Sequence, residues 1–264
     1  MNTSLDVVIP VLNEEKDLPP SVRELHGYLA RYFRRYEWRI MIADNGSTDS
    51  TPEIAKYLSE QYSRVDYMRL EKKGRGRALR KAWLESGADI VGYMDVDLST
   101  DIRSYPALIQ AIESGCHIAI GSRLSRDSQI TRPLKREVIS RGYNALIKVL
   151  FFSSFPDAQC GFKALTQQTA ISVLPYVENN NWFFDTELLL IAAKLGYRIE
   201  SIPVHWDDDP TSTVNILGTA IEDIKGLLRL RLGGIPATPI PLSNAVDSHC
   251  ANGNGLQTRG DPKP

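Results

Sequence analysis

Several broad classes are excluded by what this chain lacks. Its three cysteines, Cys116, Cys160 and Cys250, form neither spaced pairs nor a metal-binding spacing, which favours a reducing compartment. Its four histidines, His26, His117, His205 and His249, are too scattered to suggest a metal cage, and no Ser-His-Asp or Cys-His set points to nucleophilic catalysis. No stretch approaches the ~18–20 apolar residues that a membrane-spanning helix needs. The longest candidate, Leu146 to Phe152, is short and carries Lys148. The N-terminus lacks the apolar core of a signal peptide. Positive charge is also not in excess: 31 Lys and Arg stand against 32 Asp and Glu, so bulk electrostatic attraction to nucleic acid or membrane is not expected. No internal repeat is visible.

What is present is enough to fold. Of 264 residues, 42% are hydrophobic, a length and composition suited to one large domain or two small ones. The stretch 233–264, rich in proline, glycine and asparagine, has too little apolar content to order itself, which predicts a domain at 1–232 followed by a disordered tail. Strand patterns at 6–10, 38–43, 65–70, 90–94 and 117–121 alternate with helix patterns near 16–35, 51–62, 76–86 and 104–114. Such alternation predicts right-handed βαβ units and a mostly parallel sheet. Further on, the pattern predicts helices at 135–152, 185–195 and 217–232 and short strands at 160–165 and 199–205. The second half thus extends the first fold and does not restart one.

The most informative run is Tyr93-Met94-Asp95-Val96-Asp97, two carboxylates one residue apart where a buried strand runs out. Ligands of open α/β sheets bind beyond the carboxyl ends of the strands. Close carboxylates repel unless a cation lies between them. Mg²⁺ or Mn²⁺ can take one or two carboxylates and fill its remaining positions with water and phosphate oxygens. The pattern therefore suggests a metal-bridged nucleotide diphosphate held by Asp95 and Asp97, although Asp-x-Asp also occurs in solvated loops. Two more strand ends are polar: Pro10 through Glu15, and Asp44-Asn45-Gly46-Ser47. Asp44 suits a nucleobase or ribose, or caps a turn. Asn13 and Glu15 suit a ligand or a helix cap. Thr51-Pro52-Glu53 predicts a helix start, with the Thr51 hydroxyl as cap.

Six basic residues fall within Lys72–Lys81, around Gly74 and Gly76. Glycines admit close backbone approach to a phosphate, and a helix N-terminus favours an anion. A basic run can also be a nucleic-acid patch, but no aromatic ladder for stacking bases accompanies it. A second cluster, Arg123, Arg132, Lys135, Arg136, Ser140 and Arg141, precedes an apolar stretch from Leu146 to Phe155. Arg136 and Ser140 share a helix face. Guanidinium groups pair with phosphate oxygens, so a basic head beside an apolar end suits a lipid phosphate. A solvated face leading into a core helix is the alternative. Gln159 offers an amide to sugar hydroxyls, Lys163 a charge to a phosphate, and Cys160 a packed small hydrophobe. Trp182 and Phe183 suit a sugar face or the core.

These segments resemble a known family. VVIPVLNEE, IADNGSTDST, KGRGRALRKAW and YMDVDLST are similar to the nucleotide-sugar half of inverting family-2 glycosyltransferases with a type-A fold. IAIGSR, DAQCGFKAL and NNWFFDTELLLIAAKLGYRIESIPVHW resemble the polyprenyl-phosphate sugar transferases, dolichyl-phosphate β-glucosyltransferases in particular, and the likeness runs over about residues 5–230. The resemblance implies an α/β type-A (Rossmann-like) domain with a helical acceptor-side extension. It also implies a nucleotide sugar held by Pro10, Asn13, Glu15, Asp44, Gly74, Gly76, Arg77, Asp95 and Gln159, and a polyprenyl phosphate held by Arg123, Arg136 and Ser140. Catalysis would rest on Asp95, Asp97, Arg123 and Arg136 with Mg²⁺ or Mn²⁺, at the surface of a membrane on its cytoplasmic face. Relatives of this type place a lysine or arginine on the diphosphate in a loop that here reads Asp207 to Asn215 and has none. Three alternatives stay open: a soluble or saccharide acceptor, with Asp185 or Glu187 as base; a nucleotidyltransferase; and a nucleic-acid-binding module using 72–81. Glucose against mannose, UDP against GDP, and the oligomeric state are not set by these residues.

Overall fold

The computed structural model describes residues 2–131, 134–207 and 216–235, with the backbone alone at 134–136 and 216–217. Nearly all of the expected tail, 236–264, lies outside the described residues. The elements run β1 (Ser4–Val11), α1 (Leu18–Tyr32), β2 (Glu37–Asp44), α2 (Thr51–Gln61), β3 (Val65–Arg69), α3 (Arg75–Leu84), β4 (Ile90–Met94), α4 (Tyr105–Glu113) and β5 (Ile118–Ser122). They continue with β6 (Gln129–Thr131), α5 (Leu134–Phe151), β7 (Phe162–Thr166), α6 (Gln167–Val173), α7 (Phe184–Lys194), β8 (Ile199–Pro203), β9 (His205–Asp207) and α8 (Ile216–Gly233).

Seven strands form one sheet in the order β3-β2-β1-β4-β7-β5-β8. β7 is antiparallel to both β4 and β5, and the other pairings are parallel. Strand order reverses between β1 and β4, which makes the crevice at their carboxyl ends the topological switch point where such sheets bind ligands. Because β7 runs backwards, its beginning, Cys160-Gly161-Phe162, lies at that same edge.

Both faces of the sheet are covered, as parallel strands require. Alternate residues of β1 show it. Leu5, Val7, Ile9 and Val11 pack with α1, α2 and α4, whereas Val8 packs on the other face with α3, α6 and α7 and with Ile147 of α5 and Leu227 of α8. Each such side chain contributes roughly 1.5–3 kcal/mol by leaving water. Gly92 in β4 is required by packing: a Cβ there would lie 2.5 Å from the Tyr105 hydroxyl and 2.8 Å from the Lys163 carbonyl oxygen. β6 and β9 form a separate parallel pair beyond the sheet edge.

Candidate active site

Loops at the carboxyl edge hold one another in place. The β1–α1 loop is fastened to the β2–α2 loop by a set of polar contacts. The Asn13 N–H donates to Ser47 Oγ (2.9 Å), and Asn13 Oδ1 accepts from the Thr48 N–H (2.8 Å). The Glu14 N–H donates to Thr51 Oγ1 (2.8 Å), and Glu15 accepts from the Ser50 N–H (3.1 Å). Asn13 adopts φ 58°, a left-handed conformation that Asn tolerates better than most residues. Neither Asn13 nor Glu15 caps α1, whose N-cap is Asp17. The Thr51 hydroxyl, expected to cap α2, serves Glu14 instead; Ser50 is the N-cap and makes no side-chain bond. Pro10 is buried within β1 beside Ala43.

Asp44 at the end of β2 is fully buried. It accepts from the Ser47 N–H (2.9 Å) and the Tyr67 hydroxyl (3.2 Å), and Arg69 lies 3.8 Å away. That is the geometry of a turn cap at the carboxyl end of β2. Gly74 and Gly76 have an internal reason to be glycine. Gly74 has φ 146° and a Cβ there would lie 2.6 Å from the Asn180 carbonyl oxygen; at Gly76 it would lie 2.5 Å from Phe184. The two glycines let α3 press against the segment leading into α7. Arg77 donates its N–H to that same Asn180 carbonyl (3.1 Å) and its guanidinium to the Lys73 carbonyl (3.2 Å).

Asp95 follows β4 at the switch point, with its side chain 42% exposed. Its N–H donates to the Gly161 carbonyl (3.1 Å), and its carboxylate accepts from Arg75 (2.8 Å) while resting against the Gly161 Cα face. A tight turn follows, with Leu98 at φ 48° and its N–H on the Asp95 carbonyl. Asp97 is exposed, and its Oδ1 accepts from the Ser99 N–H (2.9 Å). Arg75 is the residue that sequence reasoning did not single out from the basic run. Its guanidinium reaches Asp95 on one side and Asp185 (2.5 Å) on the other, between the rings of Tyr93 (4.8 Å) and Trp182 (5.0 Å). The signal was present, since an arginine at a helix start faces whatever the preceding strands bring to the edge, but six basic residues in ten hid which one mattered.

Behind Asp95 lies a buried ionic cluster. Lys163 is wholly buried, so it is a structural partner and not the exposed phosphate contact that its charge suggested. Its ammonium lies 2.9 Å from Asp185 Oδ1 and donates to the Cys160 carbonyl (2.6 Å) and the Tyr93 hydroxyl (3.2 Å). Tyr93 in turn donates to Asp185. Burial alone would raise the Asp185 carboxyl, but the charges of Lys163 and Arg75 outweigh it and hold the group below the usual carboxylate range. Glu187, also buried, accepts from Arg229 (2.5 Å) and the Asn179 N–H (2.7 Å). Both oxygens of each acid are taken up by these partners, so neither offers the open oxygen of a general base. Phe183 is core, packed against Gly226 of α8.

Just after β5, Arg123 makes a bidentate pair with buried Asp157 (2.8 and 3.0 Å) and lies over the Trp206 ring (5.5 Å). Asp157 is held below its ordinary pKa by that guanidinium against the opposing effect of burial. The pair leaves Nη1 as the guanidinium nitrogen it does not use. Ser140 lies on α5 with its hydroxyl buried and without a partner among the described residues. The side chain of Arg136 lies outside the described residues, as do Arg132 and the side chain of Lys135. Gln159 donates its amide to Asp223 of α8 (2.8 Å). Burial pushes the Cys160 thiol up to about 12, as befits an inert packed side chain. Segment 208–215, where a diphosphate-gripping cation was absent from the sequence, lies outside the described residues.

Two carboxylates, one half-exposed and one exposed, at a strand end fit a hard divalent ion that completes its shell with phosphate oxygens and water. No group of three or more acidic, histidine or cysteine ligands occurs among the described residues, so those residues alone would supply a partial shell.

Comparisons with known proteins agree with the fold. The chain is 35% identical over 225 residues to glycosyltransferase AglD of Haloferax volcanii, covering 84% of this chain but only 35% of that protein, so it spans about a third of AglD's length. It is 30% identical over 242 residues to the human dolichyl-phosphate β-glucosyltransferase, covering 86% of this chain and 75% of the relative. The corresponding protein of Saccharomyces cerevisiae is 26% identical over 248 residues, with 86% and 74% covered. Among solved structures, glucosyl-3-phosphoglycerate synthase from Mycobacterium tuberculosis, in complex with Mn²⁺ and UDP-glucose, superposes with a TM-score of 0.66 at 18% identity, covering 88% of this chain and 80% of that one. That likeness is one of fold. Residues 6–172 match glycosyl transferase family 2, and the chain belongs to that family.

Proposed function

We infer that this chain transfers a hexose, glucose in the first instance, from a nucleotide diphosphate sugar such as UDP-glucose to a polyprenyl or dolichyl phosphate, with inversion. The observation that carries the reading is Asp95, a half-exposed carboxylate held by Arg75 over Gly161 at the switch point. Family membership and the names of the relatives supply the substrate classes. Asp95 and Asp97 would hold Mg²⁺ or Mn²⁺, which, when bound, offsets charge on the departing nucleotide diphosphate.

The acceptor follows from what the acids can do. A saccharide hydroxyl must lose a proton as it attacks, whereas a phosphate is already ionised at neutral pH. Asp185 and Glu187, the acids that a hydroxyl acceptor would call on, are both buried in ion pairs. This supports a phosphate acceptor, positioned by Arg123, Arg136 and Ser140. Positioning can supply much of the barrier reduction in such a transfer. The membrane surface as a partner is supported by exposed apolar side chains at the end of α5 (Val149, Phe152) and along α8 (Ile221, Ile224, Leu228, Leu232). No helix among the described residues is long and apolar enough to cross a bilayer.

Incubation of the protein with polyprenyl phosphate and labelled UDP-glucose or GDP-mannose, followed by product analysis, tests the reading. A labelled lipid-phosphate sugar is expected, lost in Asp97→Asn and in excess EDTA. Transfer to a soluble sugar alone would refute the acceptor, and undiminished turnover in EDTA would refute the metal.

A further inference from the structure

A polar seam lies between α5, α8 and the start of α7, and its central carboxylate is not used by the reading above. Its centre is Asp223, on the inner side of α8 and only 4% exposed. One carboxylate oxygen, Oδ2, accepts from the Gln159 amide at 2.8 Å; the other, Oδ1, is buried with no partner among the described residues. A buried carboxylate oxygen without a donor is costly. Burial, with the charges of Glu222 and Asp185, pushes this carboxyl up to about 7 against the opposing bond from Gln159. The seam adjoins the proposed sugar site. Gln159 immediately precedes Cys160 and Gly161, on which Asp95 rests, and Asp185 is the carboxylate joined to Asp95 through Arg75. On the α5 side, Tyr143 bonds Thr186 (3.0 Å), and the Ser140 hydroxyl, one turn earlier, is likewise buried without a partner.

We propose that Asp223, oriented by Gln159, binds a hydroxyl of the transferred sugar through Oδ1 and so helps select the sugar. The proposal rests on the nucleotide-sugar reading of the site. A sugar hydroxyl is a donor of the right kind: it satisfies a carboxylate oxygen, and it comes from a ligand whose diphosphate lies beside Asp95. Gln159 holds the carboxyl through Oδ2 and leaves Oδ1 for that bond. Sites that hydrogen-bond a substrate hydroxyl discriminate strongly, because an analogue that cannot make the bond leaves a buried polar group unpaired.

Calorimetric titration of wild type, Asp223→Ala and Asp223→Asn with UDP-glucose and with UDP separates the possibilities, with GDP-mannose and GDP as a second pair. Asp223→Ala is expected to weaken the nucleotide sugar by about tenfold to a hundredfold while leaving the bare diphosphate unchanged. Asp223→Asn keeps an acceptor for Gln159 and should lose less. Equal loss for sugar-bearing and bare nucleotide indicates a structural role and overturns the proposal, as does no loss for either, the result expected if Oδ1 is satisfied by a buried water. If Asp223→Ala fails to fold, Asp223→Asn carries the test through its kcat/KM ratio for UDP-glucose over UDP-galactose, and an unchanged ratio overturns the proposal. Wild type that binds UDP and GDP but neither nucleotide sugar overturns the proposal alone. Wild type that binds none of the four ligands overturns the nucleotide-sugar reading, and this proposal with it.

Discussion

Gly161→Ala separates the carboxylate at the switch point from the fold around it. A Cβ at Gly161 would overlap the Asp95 carboxyl group, reaching 2.7 Å even from its farther oxygen. Gly161 does not have a positive φ, so alanine brings no backbone strain, and the narrower unfolded ensemble contributes ~0.4–1 kcal/mol in its favour. The obstructing group is the end of a side chain that is 42% exposed and can rotate toward solvent. The bond from Arg75 would then be lost. A charge-assisted bond of this kind contributes ~1.5–3 kcal/mol, discounted toward the lower value by the exposure of Asp95. The stability change should therefore lie within about 1 kcal/mol of zero. The catalytic loss should be roughly ten- to a hundredfold, because the carboxylate assigned to the metal and diphosphate has been turned away. Thermal melting and circular dichroism measure the first quantity, and steady-state transfer from UDP-glucose the second. Wild-type turnover in a folded Gly161→Ala protein would refute the role given to Asp95. A melting temperature lowered by tens of degrees would refute the argument that the carboxylate can yield.

Three further outcomes follow from the packing and the charges. Gly76→Ala drives a methyl group into the Phe184 ring and should destabilise the protein by ~1–3 kcal/mol, read as a lower denaturant midpoint with unchanged slope. Lys163→Met leaves Asp185 with Arg75 and Tyr93 only; removing one partner of a buried pair typically costs ~3–5 kcal/mol, and the lower end is expected here because Arg75 remains, so an unshifted melt would show that the pair is dispensable. The raised carboxyl of Asp223 sets a pH dependence: protonation is favoured in the folded state, so stability is full below pH ~4 and is lost as pH rises from about 3.8 to about 7, by on the order of 2–4 kcal/mol. Asp223→Asn should abolish that fall, and parallel stability curves for variant and wild type between pH 4 and 8 would refute it.

The sheet's parallel half, every helix but α6 (Gln167–Val173) and the polar edge were legible in the sequence. Alternation of apolar runs and amphipathic helices is a local pattern, and it survived folding almost residue for residue: β4 is Ile90–Met94 as read, and α8, Ile216–Gly233, extends the expected 217–232 by one residue at each end. Asp95 and Asp97 were legible because their position depends only on where one strand stops. Tertiary structure decided the rest. β7 enters antiparallel between β4 and β5, and nothing local marks the direction of a five-residue strand. That reversal brings Gly161 under Asp95 and buries Lys163, which in sequence is an ordinary basic residue after a glycine. Which cation of the 72–81 run faces the site was equally undecidable from composition, because Arg75 is singled out by its ion pairs to Asp95, after β4, and to Asp185 of α7. Long-range charge pairing follows from how distant strands are brought together, and single-sequence periodicity carries no record of it.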